Sequence, residues 1–375
     1  MDYTCCINWL RCGGKCIYFA RLPICFAYIK VYINDISIFA YTYIMSLPFV
    51  SICTPTFNRR PFIPYLIKCF EQQSYPREQL EWIIVDDGTD KIGDLVAHLP
   101  YVKYFPYDKK MLLGEKRNIM NSKGKGDIFV YMDDDDYYPP TRVRHAVDTL
   151  LANPEALCAG SSIVHIYFKS LDKIYQFGPY GHKHSTAATF AFRRSLLKDH
   201  RYDENIAVSE ERSFLKNYSV PFVQLDPFQS ILVFAHEHNS VNKEMLLENA
   251  HPDYIKPTNL LVDEFVKDKD IQDFYMQRLP LLLQEYTAGK PEEKPEMLKQ
   301  VEELKRVRDA EWQRLKKEGE GKVTIRIGDA PPKVLSIQEV VNILQQQHEH
   351  INQLTEMLKG KDMEIELLNN LLSTK

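Results

Sequence analysis

Four carboxylates stand side by side at Asp133, Asp134, Asp135 and Asp136, directly after the apolar run Ile128 to Met132. Like charges held this close repel and raise one another's pKa, and a hard divalent cation relieves the repulsion. Mg2+ or Mn2+ bound by one or two carboxylates plus substrate phosphate is the usual arrangement, and alternate residues such as Asp133 and Asp135 suit an oxygen-rich site. A solvated acidic turn is the competing reading. Two other polar clusters follow apolar runs in the same way. One is Thr54, Pro55, Thr56, Phe57, Asn58, Arg59 and Arg60; the other is Asp86, Asp87, Gly88, Thr89 and Asp90.

The elements needed to position these clusters can be read from the runs themselves. Phe49 to Cys53, Trp82 to Val85, Val102 to Phe105 and Ile128 to Met132 have strand length and are mostly apolar. Helical spacing fills the gaps, as at Tyr65, Leu66, Cys69 and Phe70, where Pro61 suits a helix N-terminus. Strand, helix, strand, repeated, predicts a mostly parallel sheet covered on both faces. Ligands of such sheets bind at the carboxyl ends of the strands, where all three clusters fall.

Taken in order, VSICTPTFNR, WIIVDDGTD, LGEKRN, GDIFVYMDDDD and, more weakly, SEERSFL resemble the family 2 glycosyltransferases, whose fold is the Rossmann-like nucleotide-diphosphosugar transferase (GT-A) fold. The match runs from about Phe49 to Ser240. The resemblance implies that Pro55, Thr56 and Phe57 line a base and ribose pocket, with Asn58 and Arg59 nearby. It implies that Asp87, paired with Asp86, accepts a hydrogen bond from the base, as with uracil in family members, which favours a UDP-sugar donor. Lys116, Arg117 and Asn118 match the place where the family holds its Arg-Asn pair close to the diphosphate. Asp134 is expected near the ribose and Asp135 on the metal, Mn2+ or Mg2+, with Asp133 in a similar role. His236, after the apolar run Ile231 to Ala235, looks like the additional metal ligand that enzymes of this fold often take, with His238 as its rival.

Such a reaction needs a metal and cations to meet the charge developing on the leaving diphosphate, and a base to take the acceptor proton. Glu210 and Glu211 are the candidate bases. The family usually has Glu-Asp here, so Glu211 takes the base position with one more methylene, and either acid is left open; a surface pair beginning a short amphipathic helix through Phe214 and Leu215 is the bland reading. The resemblance implies transfer with inversion to a hydroxyl of a glycan, protein or lipid. The rival reading is a non-catalytic nucleotide-sugar-binding head on a coiled-coil scaffold.

Composition sets the frame. The 375 residues hold 47 basic and 51 acidic side chains, a formal charge of −4, with 45% hydrophobic residues. That is a globular balance, and without a basic block it disfavours a nucleic-acid partner. Residues 1–45 do not conform: Cys5, Cys6, Cys12, Cys16 and Cys25 crowd there, and Arg21, Pro23, Lys30 and Asp35 interrupt any membrane span. This extension is expected to be disordered or dispensable. Cys53, Cys69 and Cys158 sit in apolar contexts and read as reduced core thiols of a cytoplasmic protein. Beyond a catalytic domain at 46–240, residues 241–318 read as a helical extension and 319–334 as a linker with Pro331 and Pro332. Residues 335–375 read as a coiled-coil helix, because Ile337, Leu344, Ile351, Leu358, Ile365 and Leu372 recur every seven residues. Homo-oligomerisation through that helix is expected.

Overall fold

The computed structural model describes the strands within residues 7–39 and then residues 47–248, 253–319, 322–326 and 332–373. Within 7–39 two antiparallel hairpins form, Ile7–Cys12 with Lys15–Ala20 and Lys30–Ile33 with Ile36–Phe39. The side chains of this extension lie outside the described residues, and with them the expectation of disorder or dispensability.

The chain divides into two compact units, residues 1–297 and 298–375. The first is built on β1 (Val50–Thr56), β2 (Leu80–Asp86), β3 (Val102–Pro106), β4 (Ile128–Tyr131), β5 (Cys158–Gly160), β6 (Val164–Phe168), β7 (Lys173–Phe177), β8 (Ala191–Arg193), β9 (Phe222–Gln224), β10 (Leu232–Ala235) and β11 (Ile255–Pro257). Seven strands form one sheet in the order β9-β5-β8-β4-β1-β2-β3. β1 pairs in parallel with β2 and β4, β2 with β3, and β9 with β5, whereas β8 runs antiparallel to both its neighbours. This is the mostly parallel, Rossmann-like α/β sheet the strand and helix pattern predicted. β10, β6, β7 and β11 form a smaller mixed sheet beside it.

Strand alternation explains why the central runs are apolar on both sides. Ile52, Trp82, Ile84 and Val130 enter one core cluster while Cys53, Ile83, Val85 and Tyr131 enter another, so both faces of the sheet are covered. Helix α1 (Ile63–Glu71) buries Ile63, Leu66, Cys69 and Phe70 at the predicted spacing. It starts two residues later than Pro61 suggests: Pro61 lies in the preceding turn, and Pro64 takes the position in the first helical turn where no N–H is needed. Helix α2 (Leu113–Lys123) differs from α1, because most of what it buries is polar: Lys116, Arg117, Asn118 and Asn121. A polar face turned inward needs partners there, which marks α2 as part of a site. Helix α3 (Arg142–Ala152) packs Val143, Ala146, Val147 and Leu150 on the same core cluster as α1.

After β10 the chain forms short helices at Met245–Glu248, Val262–Phe265 and Lys269–Asp273, a π turn at Phe274–Arg278 and a helix at Leu279–Glu285. Tyr275, Leu279 and Leu283 are buried. In the second unit a hairpin pairs Lys322–Ile325 with Lys333–Ser336, followed by one helix over Ile337–Ser373. Among the described residues no helix is long and apolar enough to cross a membrane.

Candidate active site

Register brings the polar clusters to one edge. Thr56 pairs with Asp86 and Asp86 with Pro106, so β1, β2 and β3 end together. β4 stops at Tyr131 opposite Cys53, and the chain continues beside β1 as the Met132 N–H donates to the Cys53 carbonyl at 3.1 Å. Thr54 Oγ1 fixes this edge, donating to the Met132 carbonyl at 2.7 Å and accepting from Trp82 Nε1 at 2.9 Å. The turn that follows has Asn58 in the left-handed region at φ 52°, where its Oδ1 accepts the Asp90 N–H at 2.9 Å. Gly88 is required opposite it, since a Cβ there would stand 2.6 Å from the Asn58 backbone nitrogen.

The Asp86–Asp87 pair divides its labour. Asp86 accepts from the N–H groups of Gly88 (2.9 Å) and Ile92 (3.1 Å) and from the Tyr104 hydroxyl (2.6 Å), so its carboxylate holds the turn. Asp87 accepts the Met111 N–H at 2.6 Å and the Lys116 ammonium at 2.8 Å, tying the first turn of α2 to β2. Lys116 also donates to the Thr56 carbonyl at 3.3 Å. Arg117, fully buried against the Tyr131 ring at 4.6 Å, donates through Nε to Glu210 at 2.8 Å and lies 3.5 Å from Asp133. Asn118 points elsewhere: it exchanges hydrogen bonds with the Tyr202 backbone and donates to Glu204, fastening a loop.

Among the four aspartates one charge is settled. Burial works to raise Asp135, but the hydrogen bond from His236 and the nearby Arg59 guanidinium override it and hold its carboxyl well below the usual range. Asp134 is pushed up to about 7 by burial and by the Asp135 charge, although Arg59 lies 3.7 Å from each of the two. Burial also raises Asp133 and Asp136. The structure pairs Asp135 Oδ2 with His236 Nε2 at 3.3 Å, and Asn239 Nδ2 stands 2.9 Å from the same Nε2. Burial lowers the His236 pKa, so the ring is held towards neutrality. Nε2 carries either the proton that reaches Asp135 or, in the other tautomer, a lone pair; the second puts an imidazole nitrogen 3.3 Å from a carboxylate oxygen, an N,O pair that a divalent cation can take in place of the Asn239 contact. Asp135 and His236 are the pair at this corner able to hold a metal, while Asp133 is turned towards Arg117 and no cluster of three His, Cys, Asp or Glu side chains forms among the described residues. His238 is buried with neither ring nitrogen partnered among the described residues, and its carbonyl accepts from Arg59.

Glu210 and Glu211 open the short helix α4 (Glu211–Phe214) with different environments. Glu210 is buried in its ion pair with Arg117. Glu211 has no such partner among the described residues; burial and the charge of Glu210 push it up to about 7.

A cleft of about 760 Å3, including its open mouth, lies at the strand ends and is lined by Pro55, Phe57, Arg59, Lys116 and Asp133 to Asp135. Lys110, Lys116 and Lys294 stand around the Phe57 ring, their ammonium groups 5.4, 5.8 and 5.6 Å from its centroid. Residues 51–204 match the sequence model described as glycosyl transferase family 2. That stretch of the chain is similar to this family. A protein described as an uncharacterized glycosyltransferase from Haemophilus influenzae is 29% identical over 108 residues, 28% of this chain and 35% of that relative, so the chain spans about a third of the relative's length. Among solved structures, S. aureus TarS 1-349 in complex with UDP-GlcNAc is 17% identical, with a TM-score of 0.40 over 50% of this chain and 59% of that one. The mannosyltransferase PcManGT from Pyrobaculum calidifontis, in complex with GDP-Man and Mn2+, is 15% identical, with a TM-score of 0.43 over 64% and 73%.

The cleft gathers Pro55, Phe57, Arg59, Lys116, Asp133, Asp134 and Asp135 from the residues singled out in the sequence. Thr56, Asn58, Asp86, Asp87 and Arg117 stand behind that lining, whereas Asn118, expected near the diphosphate, is turned to the loop at Tyr202 and Glu204. His236 lines an adjacent cavity of about 840 Å3, again including its open mouth, together with Glu237, Asn239 and Lys243. Sequence reasoning missed Lys110, Ser240, Lys294 and Met297, which also line the cleft. Lys110 precedes LGEKRN closely enough to have been suspected. Lys294 carries no local signal, since it lies in a stretch of alternating charge that reads as a solvated helix.

Proposed function

We propose that the protein is a metal-dependent, inverting glycosyltransferase that moves a sugar from a nucleotide-diphosphate donor, a UDP-sugar in preference, to a hydroxyl acceptor. What carries the reading is a cleft at the strand ends lined by Arg59 and by Asp133 to Asp135, with Lys110, Lys116 and Lys294 around the Phe57 ring. Phe57 and Pro55 offer the apolar surface a base needs. Asp135 and His236 would hold Mn2+ or Mg2+, with Asp133 the third candidate; when bound, the metal supplies positive charge to the leaving diphosphate. Lys116, with Asp87 fixing its position, adds a cation on the same side. Arg117 orients Glu210 and Asp133 from behind. Glu211 is the base: it is the carboxylate of the pair free of an ion pair, and a group pushed up to about 7 suits proton abstraction near neutral pH.

Three buried free thiols, Cys53, Cys69 and Cys158, support a cytoplasmic setting, and the exposed heptad residues of the last helix support self-association. The test is donor hydrolysis across a panel of nucleotide sugars, with and without Mn2+, with Asp135→Ala as control. Release of nucleoside diphosphate from one donor, dependent on metal and lost in Asp135→Ala, is the expected result. No release from any donor would leave the scaffold reading, to which the Glu211 substitution of the family's aspartate already lends some support.

A further inference from the structure

We propose that Lys294 is a donor-binding residue, its ammonium group contacting the diphosphate from a segment that lies beyond the residues matching the family. The inference rests on the donor reading above and extends it to residues 286–297. That segment is fastened to the donor-binding turn itself. Tyr286 donates to Asp90 at 2.9 Å, Arg59 donates to the Gly289 carbonyl at 2.9 Å, and Asn58 donates to Glu293 at 3.0 Å. The Glu293 carbonyl accepts from Lys110 at 2.6 Å. Gly289 has φ 80°, and a Cβ there would stand 2.3 Å from the Asn58 carbonyl, so the close approach depends on glycine.

This path delivers Lys294 into the cleft. Its Nζ donates to Ser240 Oγ at 3.1 Å and faces the same Phe57 ring as Lys116. The other cations of the cleft have carboxylate partners: Lys116 has Asp87, Lys110 has Glu296, and Arg59 lies between Asp134 and Asp135. Among the described residues no carboxylate stands within ion-pair distance of Lys294. A cation drawn out of water without a counter-ion is costly, and an arriving anion removes the cost. The anion that fits a cleft with an aromatic wall, several cations and a metal corner is the diphosphate of a nucleotide.

The test uses the full-length protein with Mn2+ and isothermal titration of UDP, GDP, uridine and guanosine. Lys294→Ala is expected to weaken binding of the nucleoside diphosphate by about tenfold or more, the range for a hydrogen bond to a charged group. Binding of the bare nucleoside is expected to stay unchanged, and Lys294→Arg to retain most of the affinity. Lys294→Met, which keeps the apolar stem, should behave as Lys294→Ala with an unligated Tm close to wild type. Diphosphate affinity unchanged in Lys294→Ala and Lys294→Met would overturn the inference and leave the donor reading intact. So would an equal loss of diphosphate and nucleoside binding with a lowered Tm, which would make Lys294 a fastening of the segment. If wild type bound neither diphosphate, the donor reading and this inference would fall together.

Discussion

At the scale of single residues, the two adjacent acids differ in ways a titration separates. Glu211 must lose its proton to act as a base, and its pKa is pushed up to about 7, so kcat/KM is expected to rise with pH and level off above neutrality. Glu211→Gln removes that limb and lowers kcat by about a hundredfold or more. The sign for stability runs the other way. A carboxyl raised from 4.5 in the unfolded chain to about 7 in the fold loses stabilisation as pH climbs through that window. At pH 8 Glu211→Gln should therefore melt no lower than wild type. Glu210→Gln is different, because it leaves the fully buried Arg117 guanidinium short of a partner, and a fall of about 3 kcal/mol in stability is expected by chemical denaturation. A Glu210→Gln protein as stable as wild type would show that Asp133 alone satisfies Arg117.

At the scale of elements, the site depends on α2 lying tight against the loop before α4. Gly114 allows it: a Cβ at that position would stand 2.1 Å from the Asp203 carbonyl, and the Gly114 N–H donates to the Ile206 carbonyl at 3.2 Å. Because the obstruction is backbone, Gly114→Ala must displace the helix or the loop. A loss of about 1 to 3 kcal/mol is expected, with donor binding weakened since Lys116 and Arg117 move with the helix. An unchanged Tm with unchanged donor affinity would contradict this packing. The four central strands and α1 were legible in the sequence because their residues obey strand length and helical spacing, which local composition sets. Phe57, Arg59 and Asp133 to Asp135, singled out by the strand-end rule, line one cleft. Lys294 escaped, as did the division of Asp86 and Asp87 into a turn-holding acid and a lysine-holding one. Those depend on which distant backbone arrives beside the strand ends, and 235 residues separate Asn58 from the Glu293 it bonds.

At the scale of the whole molecule, the last helix poses a question of solvation. Leu344, Ile351 and Leu358 occupy successive heptad positions on Ile337–Ser373 and are 63%, 57% and 63% exposed in the single chain, with Leu354 and Met357 beside them at 47% and 69%. A seam of large apolar side chains repeating every seven residues gains little by facing water and much by facing a copy of itself, at roughly 25 cal/mol per Å2 of apolar surface covered. Gln347 and Lys361 interrupt the second set of seam positions, which weakens the pairing locally and helps fix its register. The full-length protein is therefore expected to sediment as an oligomer, and Ile351→Asp to shift it to the mass of one chain. Turnover of donor per chain should stay unchanged, since Ile351 belongs to a different compact unit from the cleft. A wild-type mass equal to one chain across micromolar concentrations, or an oligomer untouched by Ile351→Asp, would assign association to some other surface.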